Sequence, residues 1–192
     1  MRVAVLASGS GTILEAMIVG DIPISCVLTD RECTAADIAE RHGVEHVLIP
    51  RGSFGKNFDR MKYTEDIRDV LEKKKIDLVV MAGFGTILEQ PIYDTFGKNV
   101  LNTQPSLLPS FPGWNAVEDA MNFGVRVTGC TVHVATKEVD AGPILAQEAV
   151  EVYENDSVET LHERIKVVER RLYLETVHKL SLIHISEPTR PY

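Results

Sequence analysis

The chain has 192 residues, enough for one domain that buries roughly 70% of the surface its unfolded form exposes. With 44% hydrophobic and 25% charged residues its composition is near the globular average, which excludes a fibrous repeat, a disordered chain and a disulfide scaffold. The formal charge of −8 comes from acidic residues spread along the chain and argues against a broad nucleic-acid surface. Cys26, Cys33 and Cys130 lack CxxC spacing and are odd in number, so a reducing cytoplasm is expected, with no metal site. No basic-then-apolar leader precedes Val3, and no apolar run approaches the roughly 20 residues that span a bilayer, so neither export nor a membrane anchor is expected.

In chain order, residues 2–7 form a short, almost wholly apolar run ending in Ser8-Gly9-Ser10-Gly11, which reads as a strand buried on both faces of a parallel sheet. Ile13, Leu14, Met17 and Ile18 recur at helical spacing, and residues 22–28 are again β-branched and apolar, which completes a βαβ unit. The alternation predicts a helix near 34–42, a strand at 45–49, a looser stretch at 51–57, a helix over about 60–75 and a buried strand at 77–82. Lys73-Lys74-Lys75 closes that helix, where cations complement the macrodipole. From Val100 a short strand enters a proline-rich loop (Pro105, Pro109, Pro112), followed by a helix near 115–122 and two strands, 127–135 and 143–151, joined closely enough to pair antiparallel. Residues 157–179 read as an amphipathic C-terminal helix, with Asn155, Asp156 or Ser157 as its cap. The expected fold is therefore α/β: a single Rossmann-like, doubly wound, mostly parallel sheet with an antiparallel C-terminal strand pair and a C-terminal helix, and ligands beyond the strands' carboxyl ends.

The last stretch, Leu180-Ser-Leu-Ile-His-Ile-Ser-Glu-Pro-Thr-Arg-Pro-Tyr192, departs from the helix's pattern and closely resembles the translated read-through of a transposase adapter used in preparing sequencing libraries. The domain is accordingly expected over residues 1–179, with 180–192 a non-native tail.

Gly9-Ser10-Gly11-Thr12 lies between a buried strand and a helix, where free amides and the macrodipole favour a phosphate. Asp30 stands about where a dinucleotide site keeps its ribose-binding acid, but Leu14 occupies the third-glycine position, which argues against a nicotinamide cofactor. Arg60, opening a helix, suits a bidentate phosphate or carboxylate partner, or open solvent.

Three later stretches are more specific: Leu101-Asn102-Thr103-Gln104-Pro105-Ser106-Leu107-Leu108-Pro109-Ser110-Phe111-Pro112-Gly113, Val127-Thr128-Gly129-Cys130-Thr131-Val132-His133, and Val139-Asp140-Ala141-Gly142-Pro143-Ile144. Together they resemble the signature of the folate-dependent formyltransferase family. Gly9 to Thr12, Ala82-Gly83-Phe84 and Thr160-Leu161-His162-Glu163-Arg164-Ile165 are similar to its glycinamide ribonucleotide branch, and the likeness runs over residues 1–179. The resemblance implies transfer of a formyl group from 10-formyltetrahydrofolate, the co-substrate, to the amine of glycinamide ribonucleotide in purine synthesis, by a monomer or homodimer. It assigns catalysis to Asn102, Gln104 and Asp140, and the substrate phosphate to Gly9, Ser10, Gly11, Thr12, Ile13 and Arg60. Phe84, Gly85, Thr86, Ile87, Leu88 and Asp140 are assigned to the folate.

The chemistry fits these residue types: an amide donor such as Asn102 suits the oxyanion of a tetrahedral intermediate, and a carboxylate such as Asp140 suits proton relay through water. Gln104 departs from the family's pattern, which has histidine there. Glutamine reaches a similar distance and can donate an amide N–H, but it cannot carry charge or shuttle a proton. Ile13 and Asn115 also replace polar members of the pattern, an asparagine and a histidine, which leaves His133 as the remaining titratable candidate, read chiefly as a structural strand residue. Two further readings stay open: a non-catalytic relative that binds folate and nucleotide, and a formyltetrahydrofolate hydrolase.

Overall fold

A computed structural model describes residues 1–52 and 58–186. The elements are β1 (Val3–Ala7), α1 (Thr12–Val19), β2 (Ile24–Thr29), α2 (Thr34–Arg41), β3 (His46–Leu48), α3 (Arg60–Lys73), β4 (Leu78–Met81), α4 (Gln90–Phe96), a 3-10 turn (Gly97–Asn99), β5 (Val100–Gln104), α5 (Ala116–Phe123), β6 (Val127–Val134), β7 (Ile144–Glu151) and α6 (Val158–Ser186). The seven strands make one sheet in the order β3-β2-β1-β4-β5-β6-β7. β1 to β5 run parallel, β6 is antiparallel to β5, and β7 is antiparallel to β6.

The period-two alternation of the strands divides the core. Val3, Val5 and Ala7 of β1 belong to a cluster with Leu14 and Met17 of α1, Ile38 of α2, Val117 of α5, and Leu161, Ile165 and Tyr173 of α6. Ala4 and Leu6 face the other way, with Tyr63, Ile67 and Leu71 of α3 and Ile92 and Phe96 of α4. All five β1 residues are buried, which is why the segment reads as a continuous apolar run. The sheet order reverses between β1 and β4, and a crevice at that reversal is where an open α/β sheet receives ligands.

Beyond shifts of one or two residues at strand ends, one helix is additional and one runs longer than the sequence reading. Helix α4 was not anticipated; Pro91 sits in its first turn and Ile92 and Phe96 bury one face of it, a short i, i+4 signal inside an apparent connection. Helix α6 continues past Lys179 to Ser186, because no glycine or proline interrupts it before Pro188 and Leu180 still packs on the core. Residues 187–192 of the expected tail, and 53–57 of the looser stretch, lie outside the described residues. At the start of α6, Ser157 Oγ accepts from the Thr160 amide at 3.2 Å, so Ser157 is the cap. The lysines close α3 as expected: Lys74 is its C-cap, its carbonyl accepts from Arg2 Nε at 3.0 Å, and its ammonium pairs with Glu45. Among the described residues no helix is long and apolar enough to cross a membrane.

The pairing of β6 with β7 depends on Gly129, where an added Cβ would come within 2.0 Å of the Glu148 carbonyl oxygen and 2.8 Å of Leu107 Cδ2. Backbone cannot give way as a side chain can. Gly129→Ala is expected to lose about 2–3 kcal/mol of folding stability, read from urea denaturation midpoints, as overpacked cores do. An unchanged midpoint would contradict the close pairing.

Candidate active site

A cavity of about 410 Å³ opens at the carboxyl ends of β1, β4 and β5, within the size range of small-molecule sites. Its walls come from four parts of the chain: the glycine loop, the segment after β4, the β5–β6 end with the loop to β7, and one face of α6.

Gly9 to Ile13 line the first wall. Gly11 has φ of 69°, and a Cβ there would lie 2.8 Å from Ala35 Cα, so both the turn and the approach of α2 require glycine. Having no side chain, it makes no cap hydrogen bond to the first turn of α1. Ile13 is 7% exposed and belongs to the core cluster, which accounts for an apolar residue at the edge of this loop.

The second wall is Phe84, Thr86, Ile87 and Leu88, joined by Tyr93 of α4. Buried Asp30 holds it from behind. The Asp30 carboxylate accepts from Thr86 Oγ1 at 3.1 Å and from Arg31 Nε at 3.2 Å, with Arg51 Nε at 3.4 Å. Asp30 therefore ties the end of β2 to the segment after β4 and has no ribose to read. Gly85 does not line the cavity; its amide donates to Ser8 Oγ at 2.6 Å and its carbonyl faces Arg51.

The third wall brings together Asn102, Gln104, His133, Asp140, Gly113 and Trp114. Asn102 on β5 stands directly opposite His133 on β6. His133 Nδ1 lies 3.0 Å from the Val134 carbonyl, an acceptor, which leaves Nε2 turned to Asp140 Oδ1 at 3.5 Å. The other Asp140 oxygen accepts from the Gly113 amide at 2.8 Å. Burial pushes the Asp140 carboxyl up, but the His133 ring and the Gly113 amide outweigh it and hold the group below the usual carboxylate range. Gln104 is buried, and its Nε2 donates to both the Gly113 carbonyl at 2.8 Å and the Phe111 carbonyl at 3.2 Å. Carbonyls only accept, so both amide hydrogens point into the loop and neither is left for a reacting oxygen. The amide N–H that glutamine can offer at this position is thus taken up by the loop.

The fourth wall is His162, Lys166 and Glu169 of α6, at i, i+4 and i+7. Burial pushes the Glu169 carboxyl up, opposed by a 3.0 Å hydrogen bond from Thr103 Oγ1. The sequence reading quoted His162 within the Thr160 to Ile165 motif without a role and did not single out Lys166 or Glu169, although a His-Lys-Glu stripe beside the apolar stripe of Leu161, Ile165 and Leu172 was the available signal. Arg60 is not among the lining residues. It lies at the start of α3, 4.0 Å from Glu89, which also faces Lys137 at 3.8 Å.

The model of the formyl transferase family matches residues 1–177. The chain belongs to this family. It is 43% identical over 185 residues to phosphoribosylglycinamide formyltransferase of Mycobacterium tuberculosis, covering 94% of this chain and 85% of that one. It is also 43% identical over 179 residues to the human trifunctional purine biosynthetic protein adenosine-3, 90% of this chain and 17% of that protein. Its fold superposes on glycinamide ribonucleotide transformylase 1 from Symbiobacterium toebii with a TM-score of 0.85 at 37% identity, over 92% of this chain and 85% of that one. The family's expected fold, a mostly parallel sheet with an antiparallel C-terminal pair and a C-terminal helix, is the one described above.

The depressed Asp140 pKa sets a pH dependence. Its folded value lies below the unfolded value of about 3.9, so ionised Asp140 adds stability above that pH and loses it as pH falls through the folded value. The stability gap between the wild-type chain and Asp140→Asn is expected to shrink as pH falls from about 5 toward 3. Urea denaturation across that range measures it, and a gap independent of pH would overturn the assignment of Gly113 and His133 as partners of an ionised carboxylate.

Proposed function

We propose that this chain transfers the formyl group of 10-formyltetrahydrofolate to the primary amine of glycinamide ribonucleotide, in purine biosynthesis and in the cytoplasm. The observation that carries the reading is a single cavity in which Asn102 and Asp140 stand between a phosphate-type loop at Gly9 to Thr12 and an apolar slot at Phe84 to Leu88. The slot fits a flat heterocycle with polar edges: Phe84, Ile87 and Leu88 offer apolar surface and the neighbouring backbone offers donors and acceptors. That donor supplies the activated one-carbon group.

The chain's own residues supply position and charge. The amides of Gly9 to Thr12 hold the phosphate of the acceptor and thereby aim its amine. Asn102 donates to the oxygen of the formyl group as it gains negative charge. As the amine nitrogen bonds to the formyl carbon, the bond from that carbon to the folate nitrogen breaks; Asp140, kept ionised, accepts the proton leaving the amine, directly or through water, and the proton passes on to the departing folate nitrogen, with His133 Nε2 beside Asp140.

Gln104 limits this machinery. With both amide hydrogens spent on Phe111 and Gly113, it neither stabilises the oxyanion nor moves a proton. The same observation favours a second reading, a relative that retains both binding regions and turns over little. Gln104→His is expected to raise the transfer rate by about 10² to 10⁴, the range contributed by a general acid or an oxyanion donor. Formyl transfer to glycinamide ribonucleotide measures it. A rate unchanged by the substitution sinks the role given to this position, and calorimetric binding of a folate analogue without any transfer by either chain selects the non-catalytic reading.

A further inference from the structure

The loop from Pro105 to Gly113 is fastened to the sheet along one row of side chains. Gln104 on β5 pairs with Thr131 on β6, and Thr131 with Gln147 on β7, so the three side chains stand in line across the strands on one face. Gln104 holds the Phe111 and Gly113 carbonyls. Thr131 Oγ1 donates to the Ser106 carbonyl at 2.7 Å and accepts from the Leu108 amide at 3.1 Å. Gln147 Nε2 donates to the Leu108 carbonyl at 2.8 Å and to Thr131 Oγ1 at 2.9 Å. Asn102 and His133 form the next row on the same face, two residues along each strand.

A hydroxyl has one hydrogen and two acceptor sites, and Thr131 uses all three. The Gln147 amide has two hydrogens, one taken by the loop and one by Thr131. Leu108 is buried, so its carbonyl is costly to leave without a donor. Gln147 itself sits on the exposed edge strand, and neither it nor Thr131 lines the cavity. At the far end of the same loop the Gly113 amide donates to Asp140 at 2.8 Å. Against the upward push of burial, the His133 ring and that amide hold the Asp140 carboxyl down. A shift of the loop at Leu108 therefore reaches Asp140 without a change in any residue that lines the cavity.

We propose that Gln147 is a positioning residue for Asp140: from outside the cavity, through Thr131 and the Leu108 carbonyl, it sets where the loop presents the Gly113 amide. Its consequence for catalysis rests on the formyl-transfer reading above; its effect on Asp140 does not. The charged groups on the elements around Asp140 are Lys137 and Glu138 on its own loop, His133 on β6 and, on the α6 wall, His162, Lys166 and Glu169. Of these, His133 acts on the carboxyl. The Gln147 amide bonds to Leu108 and Thr131, so a substitution at Gln147 removes none of those groups.

The test follows the Asp140 carboxyl carbon by NMR across pH in the full chain, with Asp140→Asn to assign the signal. Gln147→Met keeps the side-chain length and loses both N–H groups. Its Asp140 midpoint is expected to rise toward the ordinary carboxylate range, whereas a merely structural loss lowers stability at every pH and leaves the midpoint where it was. Gln147→Lys, which restores a donor, is expected to return the midpoint to that of the wild-type chain at about 1 M salt, where its exposed charge is screened. In formyl transfer to glycinamide ribonucleotide, Gln147→Met is expected to lower kcat on the order of 10-fold and to leave KM within about twofold, the pattern of a misplaced reacting group. An unmoved midpoint in Gln147→Met overturns the proposal, and so does a rise that Gln147→Lys fails to reverse. A wild-type chain that transfers no formyl group overturns the formyl-transfer reading, while the midpoint still decides the role of Gln147.

Discussion

The third wall of the cavity depends on how the Gly113 peptide is held. Its N–H is fixed by Asp140, from the loop between β6 and β7, and its carbonyl by Gln104, the last residue of β5. These two bonds join segments that the sheet alone does not bring together, and they do so beside Asn102 and His133. The loop they secure is not relaxed: Phe111 has φ of 52°, a left-handed conformation that costs a bulky residue on the order of 1–2 kcal/mol. A Gln104 hydrogen bond to the Phe111 carbonyl and an edge contact between Phe111 and Phe123 offset that strain. Asp140 also has positive φ, at 57°, a conformation that short polar residues tolerate better. The backbone at both ends of the Gly113–Asp140 bond is therefore unusual, and the site's geometry survives because each end constrains the other.

A second buried carboxylate does the same work across the cavity. Asp30, with no exposed side-chain surface, gathers Arg31, Arg51 and Thr86. A buried charge stays favourable only when it is paired and hydrogen-bonded, and here the partners come from β2's end, the segment beyond β3 and the segment after β4. Two carboxylates, one behind the apolar slot and one inside the chemical wall, thus fix opposite sides of the same crevice. Of these two, Asp140 lines the cavity and Asp30 does not.

What the sequence made legible follows from how local each feature is. β1, β2 and β4 were readable because strands buried on both faces are continuous apolar runs, and the glycine loop because its spacing marks a strand-to-helix turn. The region of Asn102, Gln104 and Asp140 was found through an ordered set of motifs, and the cavity does gather those residues. Helix α4 was missed because seven residues hold too few turns to show a period. Arg60 could not be placed, since a helix start says nothing of which wall the side chain faces. The cavity-facing place of His162, Lys166 and Glu169 was missed because a polar stripe on an amphipathic helix reads as the solvated face until the packing of α6 on α1 turns it inward. The orientation of Gln104 was invisible in the same way: its partners lie seven and nine residues on, in a loop whose fold no propensity predicts.

That orientation separates two properties that the family's pattern normally combines. An imidazole next to Asn102 would be able to hold the loop and also to carry charge, because its two nitrogens have distinct partners. A carboxamide divides its capacity differently: both hydrogens sit on one nitrogen, and once the loop's two carbonyls take them the remaining oxygen can only accept. The carboxamide thus holds the Gly113 carbonyl, and with it the peptide that Asp140 grips, without carrying a charge. Among the described residues the Gln104 side chain bonds to the Phe111 and Gly113 carbonyls and to neither the glycine loop nor the apolar slot, so on the proposed reading recognition and chemistry come apart at this position. On the proposed reading, Gln104 bears on a contribution made in the transition state, beside those of Asn102 and Asp140, rather than on the parts that act on the ground state as well.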